Sequence, residues 1–140
     1  MKPASTKVGV FGNAASVLVG DFVYSRAFQM MVSVGESRVM EVLADATNAI
    51  AEGEVMQLLA THNADVGEDE YRRIIQRKTA KLFEAAAQIG SIVSGGSAAD
   101  EAALSRYGLH LGTAFQLIDD VLDYSGDAET TGKNLGDDLR

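Results

Sequence analysis

The chain has 140 residues, 46% of them hydrophobic, with a formal charge of −8 and no cysteine. The length suits one domain with a core of its own, and the lack of thiols excludes disulfides, thiolate metal sites and cysteine nucleophiles. Seven acids (Asp119, Asp120, Asp123, Asp127, Glu129, Asp137 and Asp138) face only Lys133 and Arg140 within residues 119–140, which argues against nucleic acid as a partner and for a cation-mediated ligand.

The pattern predicts helix throughout. Pro3 is the one proline, and no run sustains the alternation of a strand. Four long helices are expected, about 13–33, 37–63, 68–93 and 98–124, followed by a polar loop over 125–140. That is an all-α bundle, read as a single domain over 1–140. Asn13 and Ser37 stand where helix caps belong, and Ser97-Ala-Ala-Asp100 resembles a capping box with Asp in the place of Glu. Gly35, Gly67 and Gly95-Gly96 mark the breaks. Lys2 and Lys7 ahead of Val8–Gly20 imitate a secretory signal only faintly, because Asn13 interrupts the apolar core. Asp21 and Arg26 break the same stretch before the roughly 20 apolar residues of a spanning helix. The expected compartment is the cytoplasm.

Polar residues sit on apolar faces in every helix. In the first, Asp21 lies near Val17, Leu18, Ser25 and Phe28, where a structural hydrogen bond is the expected role. Met30-Met31, Met40 and Met56 are expected to fill gaps in the core. In the second, Glu54 and Gln57 share a face with Val39, Leu43 and Ile50, and Gly53 beside them permits close approach of another helix. In the third, Tyr71, Ile74, Ile75, Leu82, Ala85 and Ile89 form one stripe with Lys78 at its centre, while Arg73, Arg77, Lys81, Glu84 and Gln88 take the other side. An inward lysine must snorkel, pair with a carboxylate or face a polar cavity. A structural ion pair and a functional contact both remain open for Lys78.

The fourth helix carries the most informative pattern. In Phe115-Gln-Leu-Ile-Asp-Asp-Val-Leu-Asp-Tyr124, residues Gln116, Asp119, Asp120 and Asp123 fall within one arc of about 100°. Phe115, Ile118, Val121 and Leu122 cover the other side. Three adjacent carboxylates repel, so a cation or water must lie near them. Oxygen-only ligands that leave positions open for phosphate suit Mg²⁺. A solvated helix face is the competing reading. His62 and His110 lack zinc spacing and read as ordinary polar residues. Thr131-Gly132-Lys133 is not a Walker A ending, since Asn134 follows in place of Ser or Thr. An EF-hand from Asp123 fails at Ala128 and Asn134.

The acidic stretch resembles the second aspartate-rich motif of the trans-polyprenyl diphosphate synthases. Other pieces follow in that family's order: Gly20-Asp21-Phe22, Gly53-Glu54 with Gln57, Lys78-Thr79-Ala80, and Gly132-Lys-Asn-Leu-Gly-Asp-Asp138. Phe11–Phe22 and Gly112–Gln116 look most like the bacterial octaprenyl diphosphate synthases. The chain departs from the family by lacking the first aspartate-rich motif that ends in Arg-Arg-Gly, so it is expected to be a central fragment of a larger all-α synthase domain.

The resemblance implies an isoprenoid-synthase-type helical bundle and a transferase of prenyl groups. Such an enzyme adds isopentenyl diphosphate to an allylic diphosphate with Mg²⁺, here with a long-chain product of the kind used for quinone side chains. It implies Asp119, Asp120 and Asp123 as metal ligands. Lys78, Thr79, Gln116 and Lys133 become substrate contacts, with Lys78, Gln116 and Asp119 in catalysis. It implies a homodimer or higher self-association, and a fragment that is inactive alone. A non-catalytic partner subunit of a heteromeric synthase and another Mg²⁺-diphosphate terpenoid synthase are the alternatives.

Overall fold

The computed structural model describes residues 12–60 and 67–125, and these are almost entirely helical, without a strand among them. The elements are α1 (Gly12–Val34), α2 (Ser37–Ala60), α3 (Glu68–Ile75), a π-helical turn (Gln76–Ala80), α4 (Lys81–Val93) and α5 (Ala98–Ser125). The expected all-α fold is therefore found. The third expected helix runs over its predicted span, interrupted by the π turn. The loop expected after residue 125 and His62 lie outside the described residues.

The breaks follow from local chemistry. Gly35 has φ +73°, which favours glycine, and its N–H bonds the Val32 carbonyl at 3.2 Å. The cap of α2 is one residue earlier than expected. Glu36 accepts from the Arg38 N–H through its side chain (3.3 Å) and from Val39 through its carbonyl (3.1 Å), while Ser37 already lies in the first turn. At the end of α4, Gly95 has φ +71°, the Gly96 N–H reaches the Ser91 carbonyl (2.9 Å) and the Gly95 N–H reaches Ile92 (3.1 Å). This is a Schellman closure, satisfying carbonyls that the helix leaves unpaired. The acids Glu68, Asp69 and Glu70 occupy the first turn of α3, where they meet the positive end of the helix dipole.

The capping box at α5 forms in both directions. The Asp100 N–H donates to Ser97 Oγ (3.2 Å), and the Ser97 N–H donates to Asp100 Oδ2 (3.0 Å). The Ser97 hydroxyl also donates to that carboxylate (2.7 Å), and these bonds hold Asp100 below the usual carboxylate range.

The chain divides into two compact units, 1–40 and 41–140. In the first, α1 carries an edge-to-face pair between Tyr24 and Phe28 with centroids 5.0 Å apart. Met31 is buried, but Met30 is exposed rather than a core residue. Asp21 is exposed and makes no hydrogen bond to another described residue, so the structural bond expected for it is not made there.

The second unit holds the core and the site. Val42 and Ala46 of α2 pack with Ala85 of α4, and Ile89 and Ile92 close over them. The α4–α5 crossing is tight because α5 is glycine there. A Cβ on Gly112 would stand 2.6 Å from Ala80 Cα and 2.9 Å from Phe83 Cβ, and one on Gly108 would strike the Phe83 and Glu84 backbone. Phe83 and Phe115 meet at 5.3 Å across the same crossing. Beside it, Glu84 accepts from Ser105 of α5 and from Lys81, each at 3.0 Å, and Gln88 donates to Glu101 at 2.8 Å. No helix of the described residues is long and apolar enough to cross a membrane.

Replacing Ser97 by alanine removes the two bonds of the hydroxyl, leaves the arm donated by the residue 97 backbone N–H, and is expected to lower unfolding free energy by about 1 kcal/mol at neutral pH. Because the folded pKa of Asp100 is depressed, the advantage of the parent chain exists above the ordinary carboxylate value of 3.8 and is lost as pH falls through the lowered one. Urea melts of both chains should therefore lie further apart at neutral pH than in strong acid. Curves that stay equally separated at both pH values would show that the bond from the Ser97 hydroxyl to the Asp100 carboxylate adds nothing to α5.

Candidate functional site

The site is built where the rod from Glu68 to Val93 passes between α2 and α5. In the π turn the Lys81 N–H reaches back five residues to the Gln76 carbonyl. One extra residue is therefore accommodated in the turn, an arrangement frequent at functional sites. The widened turn carries Lys78 and Thr79, and these neighbours face different helices. Lys78 Nζ donates to Gln57 Oε1 of α2 at 2.7 Å and lies 3.7 Å from Glu54 Oε1. Thr79 Oγ1 donates to Gln116 Oε1 of α5 at 2.7 Å.

Close backbone approach makes the α2 contact possible. A Cβ on Gly53 would lie 2.7 Å from the Lys78 backbone nitrogen and 3.0 Å from Arg77 Cβ. Gly53 is the glycine beside Glu54 that the sequence marked for close approach, and the turn is what approaches it. On the outer side of this contact Arg77 pairs with Glu52. The Lys78 side chain keeps 35% of its surface exposed. It is thus held by carboxylate and amide at its head without being sealed from solvent, and a water-borne anion can reach it.

On α5, Gln116 Nε2 donates to Asp120 Oδ1 at 2.7 Å, and the Tyr71 hydroxyl of α3 donates to Asp120 Oδ2. The structure thus brings Lys78, Thr79, Gln116 and Asp120 into one polar cluster with Glu54, Gln57 and Tyr71. Asp119 is half-buried on the same helix. Asp123 has one carboxylate oxygen, Oδ1, that is buried and makes no hydrogen bond to another described residue. Lys133 lies outside the described residues.

The three aspartates are not equivalent. Both oxygens of Asp120 are occupied by Tyr71 and Gln116, and among the described residues no three His, Asp or Glu side chains converge to hold a metal. Asp119 and Asp123 are one helical turn apart. The orphaned oxygen of Asp123 is a group that needs a ligand, and an all-oxygen set suits a hard divalent cation. The residues fit such an ion as a partial donor set whose other positions would fall to oxygens from outside the described residues.

Tyr71 is the member that sequence reasoning placed on the inner stripe without giving it a role. A signal was present, since a phenol on an inward face needs a partner for its hydroxyl. Burial, then the hydrogen bond to Asp120 and that residue's charge, push its pKa from 10.0 up to about 12.

Comparison with known proteins gives a consistent result. The family model described as polyprenyl synthetase matches residues 2–140. The octaprenyl diphosphate synthase of Escherichia coli is 58% identical over 135 residues, covering 96% of this chain and 42% of that protein. The Haemophilus influenzae octaprenyl diphosphate synthase is 56% identical over 129 residues, covering 92% and 39%. Among solved structures, a polyprenyl synthase from Caulobacter crescentus, complexed with calcium and isoprenyl diphosphate, superposes with a TM-score of 0.86 at 51% identity, over 92% of this chain and 39% of that one. The heptaprenyl diphosphate synthase of Staphylococcus aureus gives 0.85 at 29% identity, over 90% and 40%. The chain spans about two fifths of the length of the curated relatives it matches.

The raised phenol predicts an alkaline transition. A folded pKa above the unfolded one means that Tyr71 contributes stability fully present below about pH 10 and lost as pH rises toward about 12. Absorbance titration of the phenolates should show one late-ionising tyrosine that disappears in Tyr71→Phe. A late component that survives the substitution would assign it to another tyrosine.

Proposed function

The chain belongs to the polyprenyl synthetase family, and from that membership we propose that it is the central part of a trans-prenyltransferase, adding isopentenyl diphosphate to an allylic diphosphate. The observation that carries the reading is the polar cluster itself. On a widened turn Thr79 bonds Gln116 beside the acidic stripe of α5, while its neighbour Lys78 bonds Gln57 of α2 with part of its side chain exposed. Such a cluster can receive a diphosphate on its basic side and a divalent cation on its acidic side.

The chemistry requires stabilisation of charge that grows on a leaving diphosphate. In this reading Lys78 neutralises one diphosphate oxygen and is aimed by Gln57 and Glu54. Thr79 and Gln116 supply neutral polar contacts beside it, and Lys133 closes over the phosphates from outside the described residues. Asp119 and Asp123 hold Mg²⁺ and Asp120 supports them through Gln116. When bound, the ion neutralises diphosphate charge and makes it a better leaving group. Charge, position and exclusion of water are what this chain's own residues contribute.

A long-chain product is favoured by the identities. The octaprenyl synthase match is at 58% and an all-trans-nonaprenyl diphosphate synthase of Rhodobacter capsulatus is at 45%, against 37% for a geranylgeranyl diphosphate synthase of Methanosarcina mazei. The proposal includes a place in isoprenoid and ubiquinone biosynthesis, a cytoplasmic location, and residues 1–140 as part of one larger all-α domain. It also includes self-association. Phe22 (67% exposed), Leu58 (71%) and Leu59 (75%) belong to a set of large apolar side chains in contact with solvent, more than a monomer ordinarily shows.

The 140 residues alone should show no turnover with Mg²⁺, labelled isopentenyl diphosphate and an allylic primer, because one acidic cluster grips the diphosphate from one side only. By calorimetry, diphosphate should bind the parent chain tightly only with Mg²⁺, and Asp119→Ala should weaken that binding by about tenfold or more, the loss of one charged ligand. Equal heats in all four combinations would leave the acidic stripe a solvated face and remove the basis of the reading. Light scattering should show mass rising with concentration, whereas a constant monomer mass would refute self-association.

A further inference from the structure

Resting on the prenyl-transfer reading, we propose that Tyr71 is a positioning residue that sets the orientation of the Gln116 amide and, through it, where the hydroxyl hydrogen of Thr79 points. Four side chains from three elements, α3, the π turn and α5, form one relay. The Tyr71 hydroxyl donates to Asp120 Oδ2. Gln116 Nε2 donates to Asp120 Oδ1 at 2.7 Å, and Thr79 Oγ1 donates to Gln116 Oε1 at 2.7 Å.

The direction of every bond follows from one fact, that an ionised carboxylate only accepts. Asp120 must therefore receive the NH₂ end of Gln116. The amide cannot turn over, because its oxygen would then face a carboxylate oxygen. Its oxygen is left toward Thr79, and Thr79 must donate. Without Tyr71, Asp120 keeps only the Gln116 bond and is free to rotate, and the amide loses its fixed reference. Tyr71 thus acts on the cluster from α3, beyond the residues that the resemblance brings to it.

The relay also defines what a diphosphate meets. Lys78 lies outside it and can give hydrogen bonds beyond the one to Gln57, with Glu54 as an ion-pair partner at 3.7 Å, since an ammonium has three donors. Thr79 has one hydrogen, spent on Gln116, so a diphosphate oxygen that takes it must open the relay at that end. The Tyr71–Asp120–Gln116 part is untouched by such an exchange and keeps the amide in place while the ligand enters.

The test follows the Gln116 side-chain amide by ¹H–¹⁵N NMR in the 140-residue chain, identified by its loss in Gln116→Glu. In Tyr71→Phe its bonded proton should move toward the free-glutamine position and exchange with water about tenfold faster, the order expected when a charged hydrogen-bond partner loses its anchor. The amide of Gln88, which donates to Glu101 on the opposite flank, should not change. In Asp120→Ala the bridge between Tyr71 and Gln116 is gone, so the Gln116 amide should be released, and adding Tyr71→Phe should change nothing further. An unchanged Gln116 signal in Tyr71→Phe overturns the proposal, as does a change shared equally by Gln88, which would mean general loosening. Calorimetry adds a separate arm, in which Tyr71→Phe should weaken Mg²⁺-dependent diphosphate binding about tenfold. If the parent chain binds no diphosphate, the prenyl-transfer reading fails, while the Gln116 signals still decide the part played by Tyr71.

Discussion

The π turn at Gln76–Ala80 is the constraint on which the site depends. A regular helix turns about 100° per residue, and on that spacing Thr79 falls beside the inner stripe that holds Lys78. Within that turn two neighbouring residues serve two helices, Lys78 toward Gln57 of α2 and Thr79 toward Gln116 of α5. Both contacts need the backbones close. Gly53 removes the Cβ that would meet the Lys78 nitrogen, and Gly112 removes the one that would meet Ala80 at the turn's other end. Glycine weakens a helix by roughly 1 kcal/mol relative to alanine. Its presence in the middle of two long helices, opposite the same five-residue turn, is explained by that approach.

Electrostatics then divide the acidic stripe. Three carboxylates on one arc cannot all remain charged and unpaired at low cost. Asp120 is stabilised by two donors, one of them from α3. Asp123 carries a buried oxygen without a donor among the described residues, and Asp119 is half-buried one turn before it. The stripe thus has one carboxylate with both oxygens bonded and one with an oxygen left over. A hard cation gathered by so few protein oxygens must share its shell with water or with a phosphate. On this basis the ion and the diphosphate are expected to bind as a pair.

Stability and function are separated along the second unit. Ala46, Ala85 and Val42 make a core of small side chains between α2 and α4. The neighbouring α4–α5 crossing is fastened by glycine contact, a phenylalanine pair and the Glu84–Ser105 bond. The polar cluster stands on the same three helical rods, so its residues are carried on regular elements rather than on loops. A site held this way is precise because each side chain's origin is fixed by packing that does not involve the ligand.

The sequence by itself determined the helices, because hydrophobic periodicity and terminal chemistry are local. The glycines at 35 and 95, the Ser97–Asp100 box, the spans of α1 and α5 and the two ends of the helix expected over 68–93 were legible to within a residue or two. The family was also legible, since its short motifs are contiguous runs in a fixed order. Local signals did not extend to partners distant along the chain. The cap at Glu36 in place of Ser37, the exposure of Met30 and the lack of a bond at Asp21 all depend on how chains meet. So does the π turn, for no residue type marks it, and an even helical wheel cannot include its extra residue. Tyr71 and Asp120 are 49 residues apart. That Asp120 spends its charge on a phenol and an amide was decided only when packing brought α3 against α5.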